Sequence, residues 1–215
     1  TLRKSAESWI KLQAGRSEGL VTAGMRSDDG GYGFYGYDDA GFTDASADAY
    51  RADLSVAVGD FLEGGRGRLT LYAQTLGEGY SAPGLATLAD TDYFGGTFDL
   101  PVTERLHVLA KADQREQEAG LKTSAQEINL AYQFNSAWAF STGVRNDLRD
   151  DRSAVVPLTQ DEGERTDAVA QVTYDSGAAW NAYGFVQETL SKTGDREDNG
   201  RIGSGGSYQF GDRLR

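Results

Sequence analysis

Apolar and polar residues alternate along most of this chain. In Glu127-Ile-Asn-Leu-Ala-Tyr-Gln-Phe134 the even positions Ile128, Leu130, Tyr132 and Phe134 are apolar, while Glu127, Asn129 and Gln133 are polar. A period of two sends successive side chains to opposite faces, so this stretch predicts a strand with one wet face. After Asn135-Ser-Ala137 the alternation resumes, with Trp138, Phe140, Thr142 and Val144 opposite Ala139, Ser141, Gly143 and Arg145. Two such runs joined by a few residues predict a hairpin.

The unit recurs. Tyr50–Asp60 turns through 61–65 and returns over 66–76. Phe94 to Leu100 turns at Pro101-Val-Thr103 and returns with Leu106, Val108 and Ala110 opposite Arg105, His107 and Lys111. Ala168 to Tyr174 turns through Asp175–Ala179 into Trp180–Leu190, where Tyr183 and Phe185 compete with Trp180 and Val186 for the apolar face and predict a bulge. Arg201–Phe210 forms a last strand. Upstream, Glu7–Ala14 and Gly19–Arg26 predict another pair turning at 15–18, with a short helix over Ser5–Leu12 as the alternative. The fold class is therefore all-β, an antiparallel up-and-down meander of about 10–12 strands. One domain spans 1–215, with regular hairpins over 50–215 and a strand pair plus a long loop over 1–49.

The connections alternate in length. The short set lies at 15–18, 61–65, 101–103, 135–137 and 175–179, and the long set at 27–49, 77–91, 115–123, 148–165 and 192–200. Alternate connections of a meander fall at the same end of the sheet, so one end carries tight turns and the other long loops. Strands of about ten residues, that asymmetry and one apolar face match transmembrane β-barrels, in which the apolar face points outward. Phe98, Tyr132, Phe134, Trp138, Phe140, Tyr174, Trp180, Tyr208 and Phe210 all flank short turns, where an interfacial aromatic belt sits. Pro83, Pro101 and Pro157 fall in connections, as a ladder of backbone hydrogen bonds requires.

Composition narrows the classes. With 28 glycines, three prolines and 11% aromatic residues, the chain is neither collagen-like nor a disordered acidic tail. Apolar runs are too short for a helix to cross a bilayer, which leaves barrels open. The absence of cysteine removes disulfides, thiolate catalysis and Cys-ligated zinc. The net charge of −12 argues against a nucleic-acid partner. That charge is sorted: the five long connections hold 18 acids and seven bases, and everything else is nearly neutral. The chain starts at Thr1 and stops just past Phe210 in a turn, which predicts a segment of a longer polypeptide.

Candidate chemistry is sparse. Arg51, Asp53, Arg68, Arg105, His107, Lys111, Asp113, Glu127 and Arg145 fall on the polar face. In a barrel they line the interior, where they set ion selectivity or pair with one another to fill a plugged lumen. His107 is the sole histidine, and general-base work needs a positioned partner that the sequence does not supply, so it counts as a lining residue. Asp195, Glu197 and Asp198, and separately Ser27-Asp-Asp-Gly-Gly31, offer clustered oxygens suited to calcium, but without the spacing of an EF-hand they rank first as turn residues. The run Gly30-Gly-Tyr-Gly-Phe-Tyr-Gly-Tyr37 lacks the Lys-Ser/Thr ending of a phosphate loop and is either a strand extension or a Tyr/Gly contact surface.

Four passages, Tyr80-Ser-Ala-Pro-Gly84, Leu100-Pro-Val-Thr-Glu-Arg-Leu106, Val155-Val-Pro-Leu-Thr-Gln-Asp-Glu-Gly-Glu-Arg-Thr-Asp167 and Asp195-Arg-Glu-Asp-Asn-Gly200, resemble the barrel-forming regions near the C-termini of very large multidomain surface proteins of Gram-negative bacteria. The resemblance runs from about Tyr50 onward, and the aromatic that often ends such chains is replaced by Arg215. It implies an outer-membrane pore or anchor, sometimes beside adhesin-like repeats, with no catalytic residues; apart from a loop-bound calcium, no cofactor is expected. Expected partners are the lipid bilayer or lipopolysaccharide and further strands, from the same polypeptide or from other copies. The alternative is an extracellular, self-associating β-rich adhesin module. An odd strand count of eleven conflicts with the even number of single-chain bacterial barrels and leaves closure to other strands.

Overall fold

A computed structural model describes residues 1–20, 44–82, 85–87, 89–152 and 162–209. The alternating segments form β1 (Leu2–Arg3), β2 (Trp9–Leu20), β3 (Asp44–Ala57), β4 (Arg68–Leu76), β5 (Ser81–Ala82), β6 (Leu85–Ala86), β7 (Thr91–Pro101), β8 (Leu106–Gln117), β9 (Leu121–Gln133), β10 (Trp138–Asp151), β11 (Gly163–Asp175), β12 (Trp180–Lys192) and β13 (Arg201–Tyr208). All but β5 and β6 belong to one antiparallel sheet in chain order, β1-β2-β3-β4-β7-β8-β9-β10-β11-β12-β13, which is not closed. The small β5–β6 hairpin sits in the connection between β4 and β7. Among the described residues no helix is long and apolar enough to cross a membrane.

Cross-strand partners share a face, so the register sorts the side chains. One face carries Ile10, Leu54, Leu71, Ala112 and their partners, and the other carries Lys11, Asp53, Tyr72 and Asp113. Among the described residues, sixteen exposed large hydrophobics lie on the first face of the sheet strands and only Leu109 and Tyr183 on the second. The buried residues Ala47, Ala49, Ala57, Leu76, Ala125, Ser55, Thr91, Asp147 and Asp167 all belong to the polar face. A water-soluble sheet does the reverse, because burying a large apolar side chain is worth about 1.5–3 kcal/mol.

The apolar band does not follow the pairing rows. The row through Glu188 runs Ala168, Val144, Ile128, Ala110, Phe98, Leu69 and reaches Val56. Glu188 is the first charged residue above the band on β12, whereas on β3 that residue is Asp48. Between β3 and β12 the band therefore slips toward the short-turn end by about one residue per strand, each residue rising about 3.4 Å.

Two predicted connections are corrected. The turn expected at 15–18 is strand: Gly15 to Glu18 pair with Ala49 to Ser46 inside β2, so Glu7–Ala14 and Gly19–Arg26 are not a hairpin. Ser5–Ser8 are bends, and the alternative helix over Ser5–Leu12 does not form. Gly15 is there for closeness, since a Cβ on it would stand 2.9 Å from the Tyr80 hydroxyl. The long connection expected at 115–123 is a tight turn at Glu118–Gly120, with Ala119 in the left-handed region at φ 49. With these changes ten long strands remain beside the two-residue β1, and β2 and β13 run in opposite directions.

The expected bulge is present at a different place. Register slips between Thr166 and Asp167, which leaves Leu190 of β12 as the extra residue. Tyr183 and Phe185 take the polar face opposite Gly205 and Gly203, and Trp180 and Val186 keep the apolar face. Pro101 ends β7 instead of lying in the connection, at a position where a missing N–H costs little. Residues 27–31, the run 30–37, Pro83, Pro157 and the side chain of Phe210 lie outside the described residues.

Candidate functional site: the polar face

The polar face is a set of charged side chains held by one another. Arg51 Nη2 lies 2.7 Å from Asp53 Oδ1, and its Nη1 donates to Gln74 Oε1 at 2.8 Å. The two partners sit on one strand and its neighbour because i, i+2 positions share a face. The guanidinium also stacks 5.5 Å from the centre of the Tyr72 ring. Arg145 on β10 donates to Glu127 on β9 at 3.1 Å; the two are direct cross-strand partners. Asn129 donates to the same carboxylate, and Lys111 pairs with Glu127 in register from the other side.

Toward the short-turn end, Arg68 lies 2.6 Å from Glu7, and the His107 ring bonds Asp99. Among the described residues no Ser, Thr or Tyr hydroxyl is hydrogen-bonded to His107. Arg105 lies exposed in the bend directly before β8, where its carbonyl accepts from Gln133 N at 2.8 Å and continues the β8–β9 ladder. Arg51, Arg68, His107, Lys111, Glu127 and Arg145 do share the polar face, spread over β3 to β10 and brought together only as neighbouring pairs.

A second group was not singled out from the sequence. Arg165 Nε lies 3.0 Å from Asp167, and Thr189 donates to Asp167 at 2.7 Å. Arg196, from the connection after β12, reaches Asp147 on β10 and is only 4% exposed. Asn199 N donates to Thr189 Oγ1 at 2.8 Å, and Arg165 Nη1 donates to the Glu197 carbonyl at 3.3 Å. Residues 193–200 are thus folded onto the polar face at the long-loop end. The parity of Asp147 was visible in the alternation, whereas Arg165 fell in an expected connection and Arg196 carries no periodic signal. From the opposite side, Tyr80 covers Gly15, and Ser81 N donates to Ser17 Oγ at 3.1 Å.

Asp195, Glu197 and Asp198 do not converge. Asp198 pairs with Lys192 at 2.9 Å, and among the described residues no group of three or more His, Asp or Glu is arranged to hold a metal ion.

The apolar face has its own ordered feature. Trp138 and Tyr174 meet edge-on at 4.8 Å, and Tyr174 and Trp180 follow at 4.7 Å. Tyr132 and Phe134 form a further edge contact at 5.0 Å. All lie at the short-turn end. Comparison of the chain with protein-family models, with curated proteins and with solved structures gave no match.

Proposed function

We propose that this chain is part of the wall of a bacterial outer-membrane β-barrel, serving as a pore or as the membrane anchor of a surface protein, without catalysis. The observation that carries this reading is the slanted apolar band. With about 3.4 Å per residue and about 4.8 Å between strands, a slip of about one residue per strand corresponds to a tilt of roughly 35–40° if the band is level. Transmembrane barrel strands tilt by about 35–45°. The aromatic cluster at the short-turn end then lies at one interface, the acidic long-loop end lies outside, and the paired charges face inward.

Vesicle flotation and extraction test it. The chain is expected to need detergent for solubility, to float with lipid vesicles and to change gel mobility on heating. A well-behaved monomer in plain buffer sinks the proposal.

The second reading, an extracellular self-associating sheet module, draws on the sheet edges. The outer edges of β13, and of β2 beyond Ile10, carry no paired strand among the described residues, and such edges accept added strands. Filaments forming in plain buffer would favour it.

A further inference from the structure

Two pairs of aromatic rings on the polar face are used differently. Tyr72 on β4 has the Arg51 guanidinium 5.5 Å from its centre, and Tyr93 on β7 has that of Arg115 at 5.6 Å. Tyr183 and Phe185 on β12 have no cation over them among the described residues. Their ring planes are 20° apart and their centres 6.5 Å apart. Both rings reach across β13, where Gly205 and Gly203 leave room: a Cβ there would stand 2.7 Å from the Tyr183 hydroxyl and 2.5 Å from Phe185 Cε1. On the other flank their cross-strand partners are Thr173 and Gln171 of β11. Tyr183 remains 42% exposed, so the strands that carry these rings do not bury them.

The surround is uncharged. Ion pairs fill the polar face elsewhere, but between the row of Arg145 and Asp167 and the turn at Asp175 the polar face of β10 and β11 holds no charged residue. On β12 and β13 the boundary is Arg201, the register partner of Gln187. Gln171 Nε2 donates to Thr173 Oγ1 at 3.3 Å, which leaves the Gln171 carbonyl oxygen to accept and the Thr173 hydroxyl to donate. Among the described residues the Gln187 amide and the Tyr183 and Ser141 hydroxyls make no side-chain hydrogen bond.

We propose that this patch is a platform for a neutral saccharide, whose C–H faces lie on the two rings and whose hydroxyls bond Gln171, Thr173 and Gln187. A pyranose carries C–H hydrogens on its broad faces and hydroxyls round its rim. It therefore suits the negative face of an aromatic ring beside groups that both donate and accept. An anionic ligand finds no cation within the patch, and an aliphatic one would strip water from the amides without replacing its hydrogen bonds. The inference deepens the pore reading above and rests on it for placing this face in the lumen, where hydrogen-bonding groups select the solute.

Saturation-transfer NMR of the detergent-extracted chain, in a detergent without a sugar headgroup, tests the platform. The probes are two neutral glucans, maltohexaose and cellohexaose, and the acidic hexagalacturonate. The wild-type chain is expected to bind at least one glucan saturably and the acidic probe more weakly. Tyr183→Leu and Phe185→Leu keep an apolar side chain over each glycine but no flat face, and each lowers the affinity about fivefold, what one aromatic contact is worth. Gln187→Leu also lowers it about fivefold, through one lost hydrogen bond. Tyr93→Leu, whose ring already faces Arg115, leaves it unchanged. Absence of binding by both glucans overturns the platform, as does tighter binding of the acidic probe. Leucine variants that bind like the wild type overturn it too, since rings that only shelter edge-strand glycines give that result. Vesicle flotation of the same sample separates the two readings. A chain that floats without binding loses the platform alone, whereas one that binds without floating keeps the platform and loses the lumen around it.

Discussion

At the scale of single residues, the polar face shows how charge is kept out of bulk water without being left alone. Arg196 enters from a connection, is almost wholly covered and shares Asp147 with Arg165, 3.9 Å away. Removing it by Arg196→Ala leaves a nearly buried carboxylate with one distant cation, a change that costs about 1–3 kcal/mol in a denaturant titration. The same variant exposes 193–200 to protease sooner than the wild type, because Arg196 is the one almost wholly buried side chain among the ties that hold this segment, beside those of Asn199 and Glu197. Gly163 is constrained by backbone: its φ is +114, and a Cβ would stand 2.1 Å from the Thr193 carbonyl oxygen. Gly163→Ala is expected to lower the unfolding midpoint, with a loss of about 1–3 kcal/mol. Of these residues, Asp147 was legible by parity, while Arg165 and Asp167 precede the strand expected from Ala168. Arg196 was not, because a loop residue has no period and its burial depends on a strand 45 or more positions away, with Asp147 as its partner.

At the scale of elements, alternation has a direct test. Leu130 and Asn129 are neighbours on β9 that face opposite ways. In vesicles Leu130→Arg is expected to cost about 2–4 kcal/mol of folding free energy, the usual penalty for arginine on a lipid face, while Asn129→Arg costs little. Equal effects of the two would mean that the apolar face does not meet lipid. The turn after β3 offers a titration. Hydrogen bonds from Ser5 and then Ser8, with the charge of Lys4 nearby, hold the Asp60 carboxyl below its ordinary range. A depressed carboxylate stabilises the folded state above its unfolded pKa, about 3.9, and that contribution fades as pH falls through the lowered value. A carboxyl NMR titration should place the Asp60 midpoint below that of a free aspartate, and Ser5→Ala should move it back up. Strand existence and facing were legible, because period two survives any register. The turns were less so. Gly15-Arg-Ser17 has turn composition and is strand because it pairs with Ala47 to Ala49 of β3, and Arg115 to Thr123 looks like a loop because its polar residues stand above the apolar band, where strands continue beyond it.

At the scale of the whole molecule, two features are collective. Among the described residues sixteen exposed large hydrophobics share one face, the face that the proposed membrane reading sets against lipid, and the tilt of its band belongs to no strand by itself. On dilution out of detergent without lipid the chain should aggregate at once, as seen by light scattering, and added vesicles should suppress this. A clear monomeric solution would contradict the outward-facing arrangement. The open edges of β2 and β13 add to the same tendency, since unpaired N–H and C=O groups in an apolar medium cost several kcal/mol each, roughly.

By itself the sequence determined the class of structure, the two faces, the end that bears most of the acidic charge and the side chains that would share the polar face. Each of these follows from residue parity and from the order of short and long connections, which are local properties of the chain. Only the tertiary structure decided that β2 is one strand, that Arg196 and Tyr80 fold onto the polar face from loops, and that the polar face is the more buried one. It also decided that the apolar band runs aslant to the pairing rows. Register is the physical reason: alternation tells which side a residue takes, while the pairing between strands, which no single segment contains, tells how far along its neighbour it stands.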